Sequence, residues 1–354
     1  MRKWIVIIVL TVAVTLNISF SKESLRDIYS RPSSEWPKPF IDEGVHWTEL
    51  AVLPASPVDL QNDSVKNVVE LGKALFFDTR LSGSEKISCA TCHKPELNWT
   101  DGIEKSLGHE GAINKRNSPT IQNTWFYKRL FWDGRSGSLQ DQAFAPINSS
   151  SEMHSDMPDV MRKLRRINGY KELFKKAFDS DEINPDKMAE AIATFEKTVV
   201  SNKTSFDKFL EGNKKALTKS ELQGLHLFRT KARCMNCHNG AMFSDNQFHN
   251  NGFFFPDQIS KDKGLYMFSH LDADTGKFKT PSLRDVVKTG PWMHNGSQHS
   301  LVDILNVYNQ GGFARYDPLI QQIDLSKREI RDLLAFLNAI SAPPVEFIKP
   351  AIPQ

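Results

Sequence analysis

The sequence holds four cysteines, at 89, 92, 234 and 237, arranged as two pairs three residues apart with a histidine directly after each pair. Cys89-Ala90-Thr91-Cys92-His93 and Cys234-Met235-Asn236-Cys237-His238 both match the Cys-x-x-Cys-His signature of c-type haem attachment. Chemistry explains the spacing: two thiols reach the two vinyl groups of one porphyrin, and the adjacent imidazole lies under the iron as its proximal ligand. A redox dithiol or a zinc site also uses paired cysteines, but neither requires a histidine after each pair. The expectation is two covalently bound haem c groups anchored by Cys89, Cys92, Cys234 and Cys237. His93 and His238 would be the iron ligands, and no thiol is left for a disulfide.

The elements that must position these motifs read as helical. Thr218 with Glu221 and Ser326 with Glu329 are capping boxes. The runs they open bury Leu222, Leu225 and Phe228, or Ile330, Leu333, Leu334 and Leu337. Asn184-Pro185 opens another helix with Met188, Ala191, Ile192, Phe195 and Val199 on one face. Strand alternation is nowhere sustained. Pro119, Thr120, Ile121, Asp133, Gly134, Ser138, Leu139 and Asp141 are matched by Pro281, Ser282, Leu283, Asn295, Gly296, Ser300, Leu301 and Asp303, at one common offset. A Gly-x-x-Leu-Phe also precedes each haem motif, at 72–76 and 224–228. The expected fold is therefore mainly α, with two cytochrome c-like haem domains in tandem, at 61–203 and 204–354. The polar stretch 200–204 joins them, and an extension over 22–60, rich in proline and tryptophan, is expected to wrap the first domain.

Residues 1–21 carry Arg2 and Lys3, an apolar run from Trp4 to Leu16, then small and polar residues, which is the pattern of a secretory signal peptide. In a bacterium this means the periplasm; an uncleaved membrane anchor is the alternative. Lys+Arg 45 against Asp+Glu 42 leaves a net charge of +3, with no imbalance that would point to nucleic acid.

From about Leu71 to Ile340 the chain resembles the bacterial dihaem cytochrome c peroxidase and MauG superfamily. The residues that carry the resemblance are 75–83 (LFFDTRLSG), 116–120 (RNSPT), 131–135 (FWDGR) and 279–284 (KTPSLR). The resemblance implies that the N-terminal haem reacts with hydrogen peroxide and the C-terminal haem stores or relays an electron from a small cytochrome c or cupredoxin. It also implies a role for Glu152 in moving a proton between the peroxide oxygens, for Gln142 in orienting peroxide, and for Trp132 as an electron carrier between the haems. His109 would cap the first iron in the oxidised resting state, on a loop bounded by Gly108 and Gly111. A calcium ion near Asn117 and Thr280, and a homodimer, are further implications. At the sixth position of the second iron, where the peroxidases carry methionine, this chain reads Val307-Tyr308-Asn309-Gln310. Tyr308 stands where MauG-type proteins have a tyrosine ligand, with Met267, Met293 and His270 as alternatives. His294 is expected to contact the haem surroundings. The leading function is peroxide reduction to water. A MauG-like oxidation of partner-protein side chains is the second reading, and a non-enzymatic dihaem electron carrier the third.

Overall fold

The computed structural model describes residues 23–253, 262–312, 317–343 and 346–354; the leader expected at 1–21 lies outside them. Among the described residues the α-helices are α1 (Leu25–Tyr29), α2 (Asp63–Phe77), α3 (Cys89–Cys92), α4 (Leu139–Asn148), α5 (Met157–Arg165), α6 (Asn168–Phe178), α7 (Pro185–Glu196), α8 (Ser205–Leu210), α9 (Lys219–Arg229), α10 (Tyr266–Ser269), α11 (Leu301–Asn309) and α12 (Lys327–Ala339). Two short strands, β1 (Phe248–His249) and β2 (Phe278–Lys279), pair antiparallel. None of the described helices is long and apolar enough to cross a membrane.

Local sequence accounts for most helix starts. Asn62 caps α2, Asn184 caps α7 ahead of Pro185, and Thr218 and Ser326 close the expected capping boxes of α9 and α12. The apolar faces these helices present build two buried clusters. One joins α2, α5, α6 and α7 around Leu75, Phe76, Tyr170, Phe174 and Phe195. The other joins α8, α9 and α12 around Phe206, Leu225, Phe228, Phe243 and Phe336.

The two clusters share one helix-crossing geometry. A Cβ added to Gly72 of α2 would collide with the carbonyl oxygen of Ala191 and the Phe195 side chain on α7; one added to Gly224 of α9 would collide in the same way with Asp332 and Phe336 on α12. Only glycine permits so close a backbone approach.

The offset of the sequence repeat also recurs in the backbone. Left-handed residues fall in matched pairs, Asn123 with Asp285, Phe131 with Met293 and Gly134 with Gly296. The isolated bridge Leu130–Ser136 is repeated as Trp292–Gln298. Ser138 caps α4 as Ser300 caps α11.

The chain ends cross over. The extension was expected on the first domain, but Tyr29, Trp36 and Leu50 are buried in the second cluster. Arg229, 1% exposed, explains the placement: it pairs with Glu49, donates to the Pro37 carbonyl at 2.7 Å and lies over the Trp36 ring. Conversely, the C-terminal residues return to the first cluster, with Phe347 stacked on Phe77 and edge-on to Trp99, and the Pro353 carbonyl accepting from Arg80 at 2.7 Å.

Candidate functional site: two haem motifs on one cavity

A single cavity of about 730 Å³ runs between the two halves and touches both Cys-x-x-Cys-His motifs. Its walls are those motifs, the distal helices α4 and α11, and the segments 114–135 and 278–294 that join them. Each proximal histidine is turned by its own loop. His93 Nδ1 lies 3.2 Å from the Trp99 carbonyl and His238 Nδ1 lies 2.9 Å from the Phe243 carbonyl. Both residues that supply these carbonyls line or adjoin a left-handed turn, since Trp99 and Phe243 have φ of 61° and 52°. An imidazole that gives its Nδ1 proton to a carbonyl keeps Nε2 as a lone-pair donor. Burial lowers the pKa of both rings and so favours this neutral, ligating form.

The four thiols are free and line the same cavity. Burial pushes Cys89 up, and Cys234 up to about 12, so both are held as neutral thiols. Lys279 is a part-buried amine on the cavity wall with its Nζ 3.5 Å from the centre of the Tyr127 ring and no carboxylate partner among the described residues, and burial lowers it to about 7. A buried ammonium normally has an anion beside it, and a haem propionate would supply one. Thiol pairs, oriented imidazoles and a lysine that an anion would hold charged together fit two haems.

On the distal side of the first motif, α4 contributes Gln142 and Pro146, and the turn after it contributes Glu152; all three line the cavity. Burial raises the Glu152 pKa, with the Arg135 charge pulling the other way, so its carboxyl can hold a proton closer to neutrality than an exposed glutamate can. His109 is not brought to the cavity. Its backbone N–H donates to the Glu152 carbonyl at 2.8 Å, and its ring stacks on His154 with centroids 4.3 Å apart. Its Nδ1 is buried and has no hydrogen-bond partner. The neighbouring Gly108 does line the cavity, seated against Ser151 and Glu152.

Between the motifs, the Trp132 indole N–H donates to the Asn117 carbonyl at 3.0 Å, and the Asn117 N–H donates to the His294 carbonyl at 2.9 Å. Trp132 and His294 are counterparts under the repeat offset, so one buried residue, Asn117, ties the two pseudo-equivalent positions together through its N–H and its carbonyl. His294 stacks on Phe278 at 3.5 Å, and burial lowers it to about 4, leaving it neutral. Arg116 pairs with Asp133 and with Asp262 at 2.7 Å each, a second clamp across the same seam. Asn117 and Thr280 are both buried on the cavity wall, yet the one group of three acidic, histidine or cysteine ligands among the described residues lies elsewhere, at Cys237, Asp245 and His249.

On the second distal side, Tyr308 of α11 and Met293 both line the cavity. Met267 also reaches it, although half its surface is exposed; His270 is exposed and does not line it. Tyr308 occupies on α11 the position that Pro146 occupies on α4. The two equivalent helices thus present a potential oxygen ligand to one motif and a proline, which cannot ligate, to the other. Sequence reasoning missed Asn251, whose amide reaches Tyr308 at 3.0 Å. It also missed Glu196, a buried carboxyl on the wall near Cys89 that burial pushes up to about 8.

The helical crossings and twin motifs define a protein of the dihaem cytochrome class. A family model for di-haem cytochrome c peroxidase matches residues 66–215. The methylamine utilization protein MauG of Methylophilus methylotrophus is 36% identical over 84% of this chain and 89% of its own length. The cytochrome c551 peroxidase of Nitrosomonas europaea is 34% identical over 85% of this chain and 87% of its own. A crystal structure of a MauG-like protein associated with microbial copper homeostasis superposes with a TM-score of 0.76 at 29% identity, covering 84% of this chain and 95% of that one. The chain belongs to the dihaem cytochrome c peroxidase and MauG family.

Proposed function

We propose that the protein is an exported dihaem peroxidase that reduces hydrogen peroxide to water with electrons from a small periplasmic cytochrome c or cupredoxin. Cys89, Cys92 and His93 would hold the first haem, and Cys234, Cys237 and His238 the second, each through two thioether bonds and one imidazole. When bound, the first haem would supply the iron chemistry for peroxide reduction and the second would supply electrons. The observation that carries this reading is the difference between the two distal helices: Pro146 leaves one face open beside a part-buried acid, where Tyr308 stands at the other.

The remaining work falls to side chains. Gln142 orients peroxide through its amide. A carboxylate oxygen of Glu152 takes the proton from one peroxide oxygen and returns it to the other, which leaves as water; such proton transfer contributes about 10²–10⁴ in rate. Trp132 lies between the motifs as the aromatic relay. The cavity-facing position of Gly108 supports a further proposal for His109: a swing of the 108–111 loop would carry its imidazole from His154 to the open face and close the resting site.

Tyr308 also favours a second reading. An oxygen ligand depresses the potential of a haem, and MauG is among the similar proteins, so oxidation of a partner protein's side chains competes with the peroxidase function. Steady-state mixing of the purified dihaem protein with peroxide and reduced small cytochrome c separates them. Peroxide-dependent oxidation of the cytochrome over many turnovers supports the peroxidase. An inert cytochrome with every small donor tried would contradict it and leave the protein-oxidising reading.

A further inference from the structure

Tyr308 and Met293 are alternative candidate ligands on one wall, and a single side chain touches both. The Asn251 amide nitrogen lies 3.0 Å from the Tyr308 hydroxyl oxygen and 3.8 Å from the Met293 sulfur. The orientation of that amide is fixed by its other end, because Asn251 Oδ1 accepts the Phe253 backbone N–H at 3.3 Å; the NH2 group must therefore face the two ligand candidates.

The backbone that carries Asn251 is held firmly. It follows β1, in which His249 is bridged by Asp245 at 2.8 Å and Asp317 at 2.9 Å. The adjacent Asn250 donates to the Thr275 carbonyl at 3.1 Å. Met293, for its part, sits at φ 72°, a conformation seldom adopted by a long side chain.

We propose that Asn251 is the positioning residue that selects Tyr308 over Met293 as the sixth ligand of the second haem. The inference rests on the reading that Tyr308 is that ligand. An N–H donated to the phenol oxygen fixes the ring and stabilises the negative charge of a ligating phenolate, and hydrogen bonds to charged groups are the stronger kind. The thioether sulfur is a weak acceptor, so the same amide restrains Met293 without favouring it equally.

The test uses the full-length dihaem protein as wild type, Tyr308→Phe, Asn251→Leu and Asn251→Leu/Met293→Leu, each shown by mass spectrometry to carry two haems. Ferric optical and EPR spectra and a potentiometric titration of the second haem are recorded for each. Tyr308→Phe is expected to abolish the oxygen-ligand signature. Asn251→Leu is expected to shift the ratio of oxygen- to sulfur-ligated second haem by at least about tenfold toward sulfur, with a rise in potential, and the double variant to lose the sulfur component. If Asn251→Leu fails to load both haems, Asn251→Ala gives the same readout. A second haem unchanged in spectrum and potential by either Asn251 variant, while Tyr308→Phe alters it, overturns the role of Asn251 alone. A second haem unchanged by Tyr308→Phe overturns the ligand reading and the inference with it.

Discussion

Glu152, part-buried, and Glu196, buried, are two carboxyls on one cavity wall, and burial raises the pKa of both. They differ in setting. Glu152 follows the distal helix and has Arg135 as a partner charge, whereas Glu196 ends α7 with no compensating cation acting on it. Because Glu196 titrates near 8 in the fold against 4.5 ordinarily, the folded protein holds a proton there that the unfolded chain has released. Between those values stability falls as pH rises, by at most about 1.4 kcal/mol per pH unit, and below 4.5 its contribution is fully present. Glu196→Gln should flatten that slope, read by urea denaturation of the dihaem protein at pH 5.5 and 7.5. An unchanged slope would show that Glu196 is ionised throughout. The anchor assignment has an equally direct check: Cys89→Ala/Cys92→Ala should lower the intact mass by one haem group, and an unchanged mass would refute it. At this scale the sequence was most legible where chemistry demands fixed spacing, in the two motifs; Gln142 and Glu152 came from the family resemblance alone, with no spacing rule of their own. Asn251 was not legible, because an asparagine near a loop has no signature until the fold brings Tyr308 to it.

Elements show one design used twice. The crossings of α2 with α7 and of α9 with α12 are built alike, and each depends on a glycine. Gly72→Ala and Gly224→Ala should each cost about 1–3 kcal/mol by overpacking, measured as a lowered denaturation midpoint; a loss well under 1 kcal/mol at either site would mean that the crossing can spread without cost. Capping boxes, the Asn-Pro helix start and the repeat offset were all readable beforehand, since each is a local pattern with a local cause. The pairing of Pro146 with Tyr308 was latent in that same offset. It became interpretable only when α4 and α11 were seen to line one cavity.

At the scale of the whole molecule the crossing of the chain ends is the feature that local pattern could not disclose. The extension braces the second motif: Asp42 pairs with Arg233, its N–H donates to Asn236 at 2.8 Å, and the Thr48 carbonyl accepts from Gly240 at 3.1 Å. The C-terminal residues brace the first, since Phe347 packs on the Trp99 whose carbonyl orients His93. Phe347→Ala should therefore destabilise the protein by about 1–3 kcal/mol and perturb the first haem's spectrum more than the second's; an equal effect on both would contradict this bracing. Which cluster a proline-rich segment covers depends on long-range partners such as Arg229, and nothing within residues 22–60 names them.

We propose that peroxide reacts at the open, acid-flanked face beside the first motif. The most direct test is the rate of peroxide consumption with reduced small cytochrome c by wild type and Glu152→Gln proteins that each carry two haems. A loss of about 10²–10⁴ is expected, with haem content and the second haem's potential unchanged. A Glu152→Gln protein that turns over peroxide at the wild-type rate would contradict it.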